Sequence, residues 1–292
     1  MIPHLYRAYE FLIRSEIAIP GAIPLDDAAS GEVDIEIAFG EAGLPDTARS
    51  EGPYRYVEGR LLFDMPAIAY YLCEGGRRIT IEKRPGASER DIAGLLIATA
   101  LPALLWMRGE IVLHAAGLVP AGGDRAIAIC GASRSGKSTV LRDMLGRGSR
   151  VVGDDSLRVR FSPAGVTASG LPCRFFWSRE GEAERPDHAV AAERVLAAMP
   201  LAAVFILDWP RGEPHFERVA AVDALRQLLL QRHRPRVPRL LGMEGRFLAG
   251  FATLSRLDVY LWKRRDGAIA LSSEEFAFLT RKACITSSKN ME

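Results

Sequence analysis

A glycine-rich loop that ends in a lysine and a serine is the first stretch of this sequence whose residue types and spacing could do chemistry. Residues 131–138 read GASRSGKS and fit the pattern G-x-x-x-x-G-K-[ST]. In such a loop, backbone N–H groups surround a phosphate, the lysine reaches the outer phosphate oxygens and the hydroxyl binds Mg²⁺. The predicted nucleotide-contacting residues are Gly131, Ala132, Ser133, Arg134, Ser135, Gly136, Lys137, Ser138 and Thr139.

The residues around this loop predict the context that the motif requires. The apolar run 126–130 indicates a buried strand, and residues 139–145 indicate a helix that stops near Gly146 and Gly148. Without that context, the glycines would indicate no more than a turn that caps a helix. The strand–loop–helix order therefore favours phosphate binding. For the long side chain of Arg134, the sequence leaves three partners open: phosphate, an acceptor peptide or solvent.

Two adjacent carboxylates, Asp154 and Asp155, follow the loop. A helix of about ten residues runs roughly 15 Å away from the phosphates, and a strand of about five residues covers a similar distance back. Both carboxylates are therefore expected beside the loop. One of them can hold Mg²⁺ while the other accepts a proton from an attacking hydroxyl. The alternative is an Asp-rich turn that closes a hairpin into residues 157–161.

A single histidine, His114, stands at the end of the predicted strand 111–113. A lone histidine is usually a packing residue, but this one ends a strand that lies one connection before the phosphate loop. Two neighbouring strands would bring His114 and the loop to the same sheet edge. We therefore predict that His114 supports either the carboxylate base or the transferring phosphoryl group.

Three segments of the chain resemble the catalytic domain of HPr kinase/phosphorylase in order and spacing: residues 113–119 (LHAAGLV), 131–138 and 151–159 (VVGDDSLRV). They are more similar still to the smaller HPr-kinase-like serine kinases, some of which belong to lasso-peptide biosynthesis clusters and phosphorylate the precursor peptide. The similarity is specific over residues 111–160, roughly a sixth of the chain.

The resemblance implies a fold like that of phosphoenolpyruvate carboxykinase rather than that of Ras-like P-loop proteins. It also implies roles for three residues: His114 is the active-site histidine, Lys137 the phosphate lysine, and Ser138 the Mg²⁺ hydroxyl. Relatives commonly assemble through the kinase domain, so the resemblance is compatible with a homo-oligomer.

The resemblance further implies that Asp154 is the general base and that Asp155 is a metal ligand. Bifunctional HPr kinase/phosphorylases carry a glycine-rich signature downstream of these carboxylates. This chain instead has residues 175–185, FFWSREGEAER. That difference argues against phosphorylase activity and against HPr as the substrate.

The composition is that of a globular enzyme with no general attraction to polyanions. The chain has 292 residues, 48% of them hydrophobic, and a net charge of +2. We therefore expect no nucleic-acid partner and no membrane. The longest apolar segment, residues 92–107, is shorter than the usual span of about 20 residues and predicts a buried helix. Four widely spaced cysteines and an opening without a signal peptide predict a reduced, cytoplasmic location.

Hydrophobic patterning predicts a mixed α/β (α+β) fold with two parts: a β-rich N-terminal region over residues 1–86 and a P-loop catalytic domain over residues 87–292. The predicted N-terminal strands cover residues 9–19, 33–39, 54–57, 60–64, 67–72 and 78–83. Aromatic residues in this region could line a peptide site, but more often such residues pack a sheet. They are Tyr6, Tyr9, Phe11, Tyr54, Tyr56, Tyr70 and Tyr71.

The catalytic region is predicted to contain further helices and strands around the loop. The helices cover residues 88–106 (with a kink at Pro102), 223–230, 242–257 and 272–281; the strands cover 157–161, 166–169, 201–207, 215–219 (pairing beside 201–207) and 259–262. Residues 180–188 predict an exposed loop suited to engaging an acceptor.

Several arginines in the C-terminal half have two open interpretations. Arg174 is either a surface residue or a phosphate or substrate contact. Residues 232–239, RHRPRVPR, form either a solvated basic surface or a contact for ATP phosphates or an acidic peptide.

The leading hypothesis is an ATP- and Mg²⁺-dependent kinase that phosphorylates a serine or threonine hydroxyl of a peptide or small protein. The resemblance implies that the acceptor is a lasso-peptide precursor. The alternatives are a nucleotide-binding regulatory protein without transfer activity, an HPr serine kinase, and a small-molecule kinase. The H-R-D and D-F-G motifs of eukaryotic-type protein kinases are absent from the sequence.

Overall fold

Two nine-stranded sheets dominate the part of the chain that the computed structural model describes, which is residues 3–26, 31–176, 187–208, 213–265 and 268–284. Helices pack on both sheets, so the chain has the mixed α/β composition that its patterning predicts. The predicted boundary at residue 86 falls between the last strand of the first sheet and the first helix, and one buried hydrophobic core continues across it.

The first sheet is built almost entirely from hairpins. Its order is β3-β1-β2-β4-β9-β8-β7-β6-β5, and β4 alone pairs in parallel, with β2 and β9. The strands are β1 (His4–Ala8), β2 (Phe11–Ser15), β3 (Ile23–Leu25), β4 (Ile35–Phe39), β5 (Arg49–Glu51), β6 (Tyr54–Val57), β7 (Arg60–Met65), β8 (Ala69–Glu74) and β9 (Arg78–Lys83).

Five of the six predicted N-terminal strands are present, but the prediction of one strand over residues 9–19 is wrong. Tyr9 and Glu10 form a two-residue turn with φ values of 53° and 65°, so β1 and β2 are separate strands of a hairpin. Residues other than glycine rarely adopt positive φ, and the residue types Tyr-Glu are not those that favour a two-residue hairpin turn. Of the aromatic residues in this region, Tyr9, Phe11, Tyr54 and Tyr71 are buried in the core, as the packing interpretation predicts.

A long core helix follows the first sheet and covers it. It consists of α1 (Glu89–Leu95), a π-helical turn (Leu96–Ala100) and α2 (Leu101–Met107). Ser88, the first residue of the predicted helix, caps α1 by accepting a hydrogen bond from the Asp91 backbone N–H. Glu89–Met107 is long and apolar enough to cross a membrane by length and composition alone, but 67% of its apolar window is buried inside the protein, as in a core helix.

The second sheet collects strands that are distant in sequence. Its main path is β10-β14-β15-β18-β12-β11-β13, with β20 beside β18 and β19 beside β20. Its strands are β10 (Ile111–Leu113), β11 (Ala115–Val119), β12 (Ala126–Cys130), β13 (Arg150–Gly153), β14 (Leu157–Ser162), β15 (Gly165–Ser169), β18 (Ala198–Asp208), β19 (His215–Arg218) and β20 (Asp258–Lys263). A separate two-stranded ribbon joins β16 (Arg174–Phe176) and β17 (Asp187–Ala189).

Most predicted elements of this half are present, with three corrections. The strand predicted at 201–207 is the C-terminal part of β18, and β19 pairs with β20 rather than with β18. The Arg/Pro-rich run contains a short helix, α5. The helices are α3 (Lys137–Gly146), α4 (Ala221–Leu230), α5 (Arg236–Leu240), α6 (Glu244–Leu254) and α7 (Ser273–Lys282), with a 3₁₀ turn at Ala192–Arg194.

Strand β12 is buried on both faces. Ala126, Ala128 and Cys130 face the core shared with the first sheet, whereas Ile127 and Ile129 face a second core that includes α3 and α7. This two-sided burial explains why the strand reads as an uninterrupted apolar run. It also holds the loop after β12 on a strand that is anchored from both sides.

Candidate active site

The pairing of three strands brings the predicted site residues to one sheet edge. Strand β11 runs antiparallel to both β12 and β13. The beginning of β11 therefore lies beside the ends of the other two strands, and Ala115 pairs with Cys130. His114 precedes β11, the phosphate loop follows β12, and Asp154 follows β13. The three groups lie far apart in the sequence, and the antiparallel pairing of β11 with β12 and β13 brings them close together in space.

The loop between β12 and α3 has the backbone that the phosphate-binding motif requires. Gly131 has a φ of 147°, and a Cβ built on it would lie 2.5 Å from the Ser135 side-chain oxygen, so only glycine fits there. Gly136 is the N-cap of α3 with a φ of 99°, and among the described residues no side chain caps that helix start. The first N–H groups of α3 can therefore face an anion. Arg134 is exposed, with a φ of 66°.

Lys137 joins this loop to His114. Its buried Nζ donates hydrogen bonds to the carbonyl oxygens of Gly131 at 2.7 Å and Ala132 at 3.1 Å. The same Nζ lies 2.9 Å from His114 Nε2. Because an ammonium group only donates, Nε2 must be the accepting nitrogen of the ring. The contact therefore sets the tautomer of His114.

His114 continues the line of hydrogen bonds to the carboxylate turn. Its Nδ1 lies 3.1 Å from the backbone oxygen of Asp155, to which it donates in this tautomer. Burial lowers the pKa of His114 to about 4; the Lys137 charge acts in the same direction, and Asp155 opposes both. The imidazole is therefore neutral near pH 7 and relays a hydrogen bond from Lys137 to Asp155.

The two carboxylates have different surroundings. Asp154 is 6% exposed and accepts a hydrogen bond at Oδ1 from the Asp155 backbone N–H at 2.9 Å. Asp155 has a φ of 64° and a side chain that is 41% exposed. Aspartate tolerates the left-handed region better than most residues, which suits a tight turn at a site. The turn therefore buries one carboxylate and presents the other.

Two imidazoles flank the Asp155 carboxylate. Oδ1 lies 3.4 Å from His114 Nδ1, and Oδ2 lies 3.4 Å from His233 Nε2. Partial burial would by itself raise the pKa of Asp155, but the hydrogen bond from His233 and the electrostatic effects of His233, His114 and Arg234 together outweigh it and hold the pKa well below its ordinary value. Asp155 is therefore ionised, the state in which a carboxylate binds a metal.

His233 is the site residue that sequence reasoning missed. It lies 78 residues from Asp155 in the chain, inside the Arg/Pro-rich run, and its side chain is 4% exposed. Neither periodicity nor a short motif marks it, because its partner is brought in by tertiary pairing. The only sequence signal is a histidine among arginines, in a chain with five histidines.

His114, Asp155 and His233 also form a cluster whose potential metal-ligand atoms lie within 4.8 Å of one another. A metal on His114 Nδ1 would move the ring hydrogen to Nε2, which faces the Lys137 ammonium. The hydrogen bonds of this cluster therefore fit a donor network better than a metal bound by His114. The predicted Mg²⁺ ligands are Asp155 and Ser138, and Ser138 lies partly exposed in the first turn of α3.

Of the arginines in residues 232–239, Arg236 and Arg239 are exposed, Arg232 and Arg234 are partly buried, and three of the four have partners within the protein. Arg234 Nε donates to the Ala98 carbonyl oxygen at 2.8 Å, and Arg239 forms an ion pair with Glu51 of the first sheet. Arg232 Nε donates to the carbonyl oxygen of Leu229. These contacts join residues 232–239 to α4, to the core helix and to the first sheet. Arg174 begins β16.

Part of the predicted acceptor loop lies outside the described residues. Of residues 180–188, only the last two are described, in the ribbon strand β17, and of residues 175–185 only the first two are described.

Comparison with known proteins adds little to this geometry. No family model matches the sequence, and no curated protein matches it. Among solved structures, the chain is similar to the Hpr(Ser) kinase/phosphatase from Coxiella burnetii, with 16% identity, over 37% of this chain and 76% of that chain, at a TM-score of 0.29. A TM-score of that size does not define a common fold. The function is therefore inferred from the residues of this site.

Proposed function

We propose that this chain is an ATP- and Mg²⁺-dependent kinase that phosphorylates a serine or threonine hydroxyl of a peptide or small protein. The observation that carries the proposal is the hydrogen-bonded line from Lys137 through His114 to Asp155. It joins a phosphate loop to a carboxylate pair, and phosphoryl transfer needs both within one site.

The phosphate loop and Lys137 supply the electrostatic part of the reaction. The backbone N–H groups at the start of α3 and the Lys137 ammonium face the phosphate oxygens and stabilise the negative charge that develops during transfer. Mg²⁺, when held by Ser138 and Asp155, neutralises further phosphate charge. The three N–H donors of Lys137 are directed at Gly131, Ala132 and His114, so the ammonium exchanges one of these bonds for a phosphate oxygen when ATP binds.

Asp154 is the proposed general base. As the acceptor oxygen bonds to the γ-phosphorus, the bond from that phosphorus to ADP breaks and the hydroxyl proton passes to the Asp154 carboxylate. Because the Asp155 carboxylate is already engaged by two imidazoles, this division gives each carboxylate one role.

The proposed acceptor is a lasso-peptide precursor, in a cytoplasmic setting where ATP is available. Its support is the sequence resemblance over residues 111–160, not the geometry. A regulatory nucleotide-binding protein is the main competitor, but such a protein needs no base beside its metal ligand. An HPr serine kinase or a small-molecule kinase would use the same site with a different acceptor.

The test is mass spectrometry of candidate acceptor peptides, including precursors encoded beside the gene, after incubation with the protein, ATP and Mg²⁺. We expect a gain of phosphate that is lost in both Asp154→Asn and Lys137→Ala and kept in Lys83→Ala, which changes an exposed lysine of the first sheet. HPr and a metabolite panel serve as competing acceptors. Tight ATP binding without any transfer would favour the regulatory protein instead.

A further inference from the structure

The Asp155 carboxylate is held from two sides, and the second side comes from a distant part of the chain. His114 Nδ1 lies 3.4 Å from Oδ1, and His233 Nε2 lies 3.4 Å from Oδ2. The two rings are 5.6 Å apart between centroids and tilted by 45°. Each oxygen of one carboxylate therefore faces a different imidazole.

The backbone of His233 is fixed by two hydrogen bonds. Its N–H donates to the Val112 carbonyl oxygen at 2.9 Å, and its carbonyl oxygen accepts from Trp106 Nε1 at 2.8 Å. Two residues after Val112, just beyond the end of β10, the His114 N–H donates to the Gln231 carbonyl oxygen at 2.7 Å. Residues 231–233 therefore run beside β10 like a short extra strand, and the strand that carries His114 also holds His233.

The next residue ties this segment to the core helix. Pro102 has no N–H to donate to the Ala98 carbonyl oxygen four residues earlier, and Arg234 Nε donates to that oxygen at 2.8 Å instead. An unmade bond at a buried carbonyl is costly, so this replacement holds Arg234 in place. His233 is thus anchored on both sides of its own Cα.

The hydrogen bonds of the His233 ring decide which nitrogen carries its hydrogen. Nδ1 is buried and has no hydrogen-bond partner among the described residues. A hydrogen on Nδ1 would be a buried unpaired donor, and the Nε2 lone pair would then face a carboxylate oxygen. The hydrogen therefore belongs on Nε2, where it donates to Asp155.

We propose that His233 is a positioning residue, which fixes the carboxylate of Asp155 by donating from Nε2 to Oδ2. The inference rests on the proposed function for its reaction, but not for its geometry. Asp155 has a left-handed backbone outside any regular element, so its side-chain direction depends on donors around it. His114 donates to the Asp155 backbone oxygen from the phosphate-loop side, and His233 donates to the Asp155 carboxylate from the opposite side.

The test compares two variants of His233 with a matched control. His233→Gln keeps an N–H donor at a similar reach, whereas His233→Leu keeps the volume and removes the donor. His215→Leu makes the same change at an exposed histidine of β19. Kinase turnover, the KM for ATP, the Mg²⁺ dependence and the thermal unfolding midpoint are measured for each variant with the accepted peptide.

We expect His233→Leu to lower kcat by about 10- to 100-fold, the usual cost of losing a group that orients a metal ligand, with little change in the KM for ATP. His233→Gln should recover most of that loss, and His215→Leu should behave as wild type. Equal kcat for the wild type and the leucine variant, with only a lower unfolding midpoint, would show a packing role and overturn the proposal. Failure of glutamine to rescue, together with a raised Mg²⁺ requirement in both variants, would make His233 a metal ligand and also overturn it.

A second measurement separates this inference from the proposed function. In the full-length protein labelled with ¹⁵N-histidine, NMR identifies the protonated ring nitrogen of His233, assigned by the signal that disappears in His233→Leu. We expect hydrogen on Nε2. Hydrogen on Nδ1 refutes the positioning role even in an active kinase, whereas hydrogen on Nε2 in a protein that transfers no phosphate refutes the proposed function alone.

Discussion

The two nine-stranded sheets differ in the sequence distance between strands that pair with each other. The candidate site lies on the second sheet. In the first sheet, strands β5 to β8 each pair with the next strand along the chain through short turns. In the second sheet, β12 lies between β11 and β18, and residues of β12 and β18 that pair are about 75 positions apart in the chain.

This difference explains where chemistry can arise. Successive hairpins place consecutive side chains along a sheet, but they leave strand ends from distant parts of the chain apart. In the second sheet, β11 lies between β12 and β13 and runs antiparallel to both, so the ends of β12 and β13 meet the beginning of β11 at one edge. Phosphate loop, histidine and carboxylates come together there because of this topology.

The first sheet still reaches the site at one point, the tip of the β1–β2 hairpin. The buried Tyr9 hydroxyl bonds to Ser156 Oγ at 2.6 Å, directly after the carboxylate pair. Beside it, Arg158 donates to the Tyr9 carbonyl oxygen and pairs with Glu10 and Glu110. The hairpin tip is therefore one of the contacts that join the two sheets, and it lies beside the candidate site.

We expect the largest effect on phosphoryl transfer from a lysine at the site, tested against a lysine on the first sheet. Lys137→Ala removes the ammonium that bonds to the loop and to His114, and we expect phosphoryl transfer to fall at least about 10³-fold. Lys83→Ala, at the exposed end of β9, should leave transfer unchanged. Initial rates at saturating ATP measure both. Similar losses in the two variants would remove the contrast between the sheets.

The next effect concerns the ion-pair cluster between the sheets. Arg158→Met removes the buried guanidinium, whose side chain is 5% exposed, and leaves Glu10 and Glu110 facing each other without it. We expect a loss of about 3 kcal/mol in the free energy of unfolding, because breaking a buried pair strands its partners. Chemical denaturation measures the loss. Double substitution of both glutamates by glutamine in the Arg158→Met background should recover part of it.

A smaller effect is expected from the hydroxyl contact at the hairpin tip. Tyr9→Phe leaves Ser156 Oγ buried without its partner, which should cost about 1 to 2 kcal/mol of unfolding free energy. The double variant Tyr9→Phe/Ser156→Ala should lose less than the sum of the two single variants, because both remove the same bond. Additive losses would mean that the bond does not couple the two sheets.

We expect the smallest effect from the N-terminal cap of α7, a helix that packs on the second sheet. Ser272 accepts from the Glu275 N–H, and the Glu275 side chain accepts from the Ser272 N–H, which forms a capping box at the start of α7. Ser272→Ala should cost about 1 kcal/mol of unfolding free energy and leave phosphoryl transfer unchanged. A drop in transfer would show that the outer layer of this sheet also shapes the site.

Sequence reasoning located what short-range patterns encode. The spacing of residues 131–138, the strand before them and the helix after them predict a phosphate loop; the structure contains that strand and helix and brings His114 and Asp155 beside these residues, as expected. The helix starts predicted at residues 88 and 272 are also present, and at each of them a serine accepts a hydrogen bond from the N–H three residues later.

What sequence reasoning missed depends on contacts that no short pattern encodes. The turn at Tyr9 and Glu10 has positive φ values that neither residue type announces, and it is held by bonds to residues near position 156. His233 could not be predicted for the same reason, because its hydrogen-bond partners Val112, Trp106 and Asp155 all lie in other parts of the fold.

The proline in the core helix has one more consequence, for how the chain finds its alignment. Arginines recur at positions 232, 234 and 236, so the segment could in principle slide along β10. The carbonyl that Pro102 leaves unpaired accepts only one of them, Arg234. In a strand-like segment, a slip of one residue would turn His233 away from the carboxylate. A missing N–H in one helix thus sets the register of a distant segment, and with it the identity of the side chain that reaches Asp155.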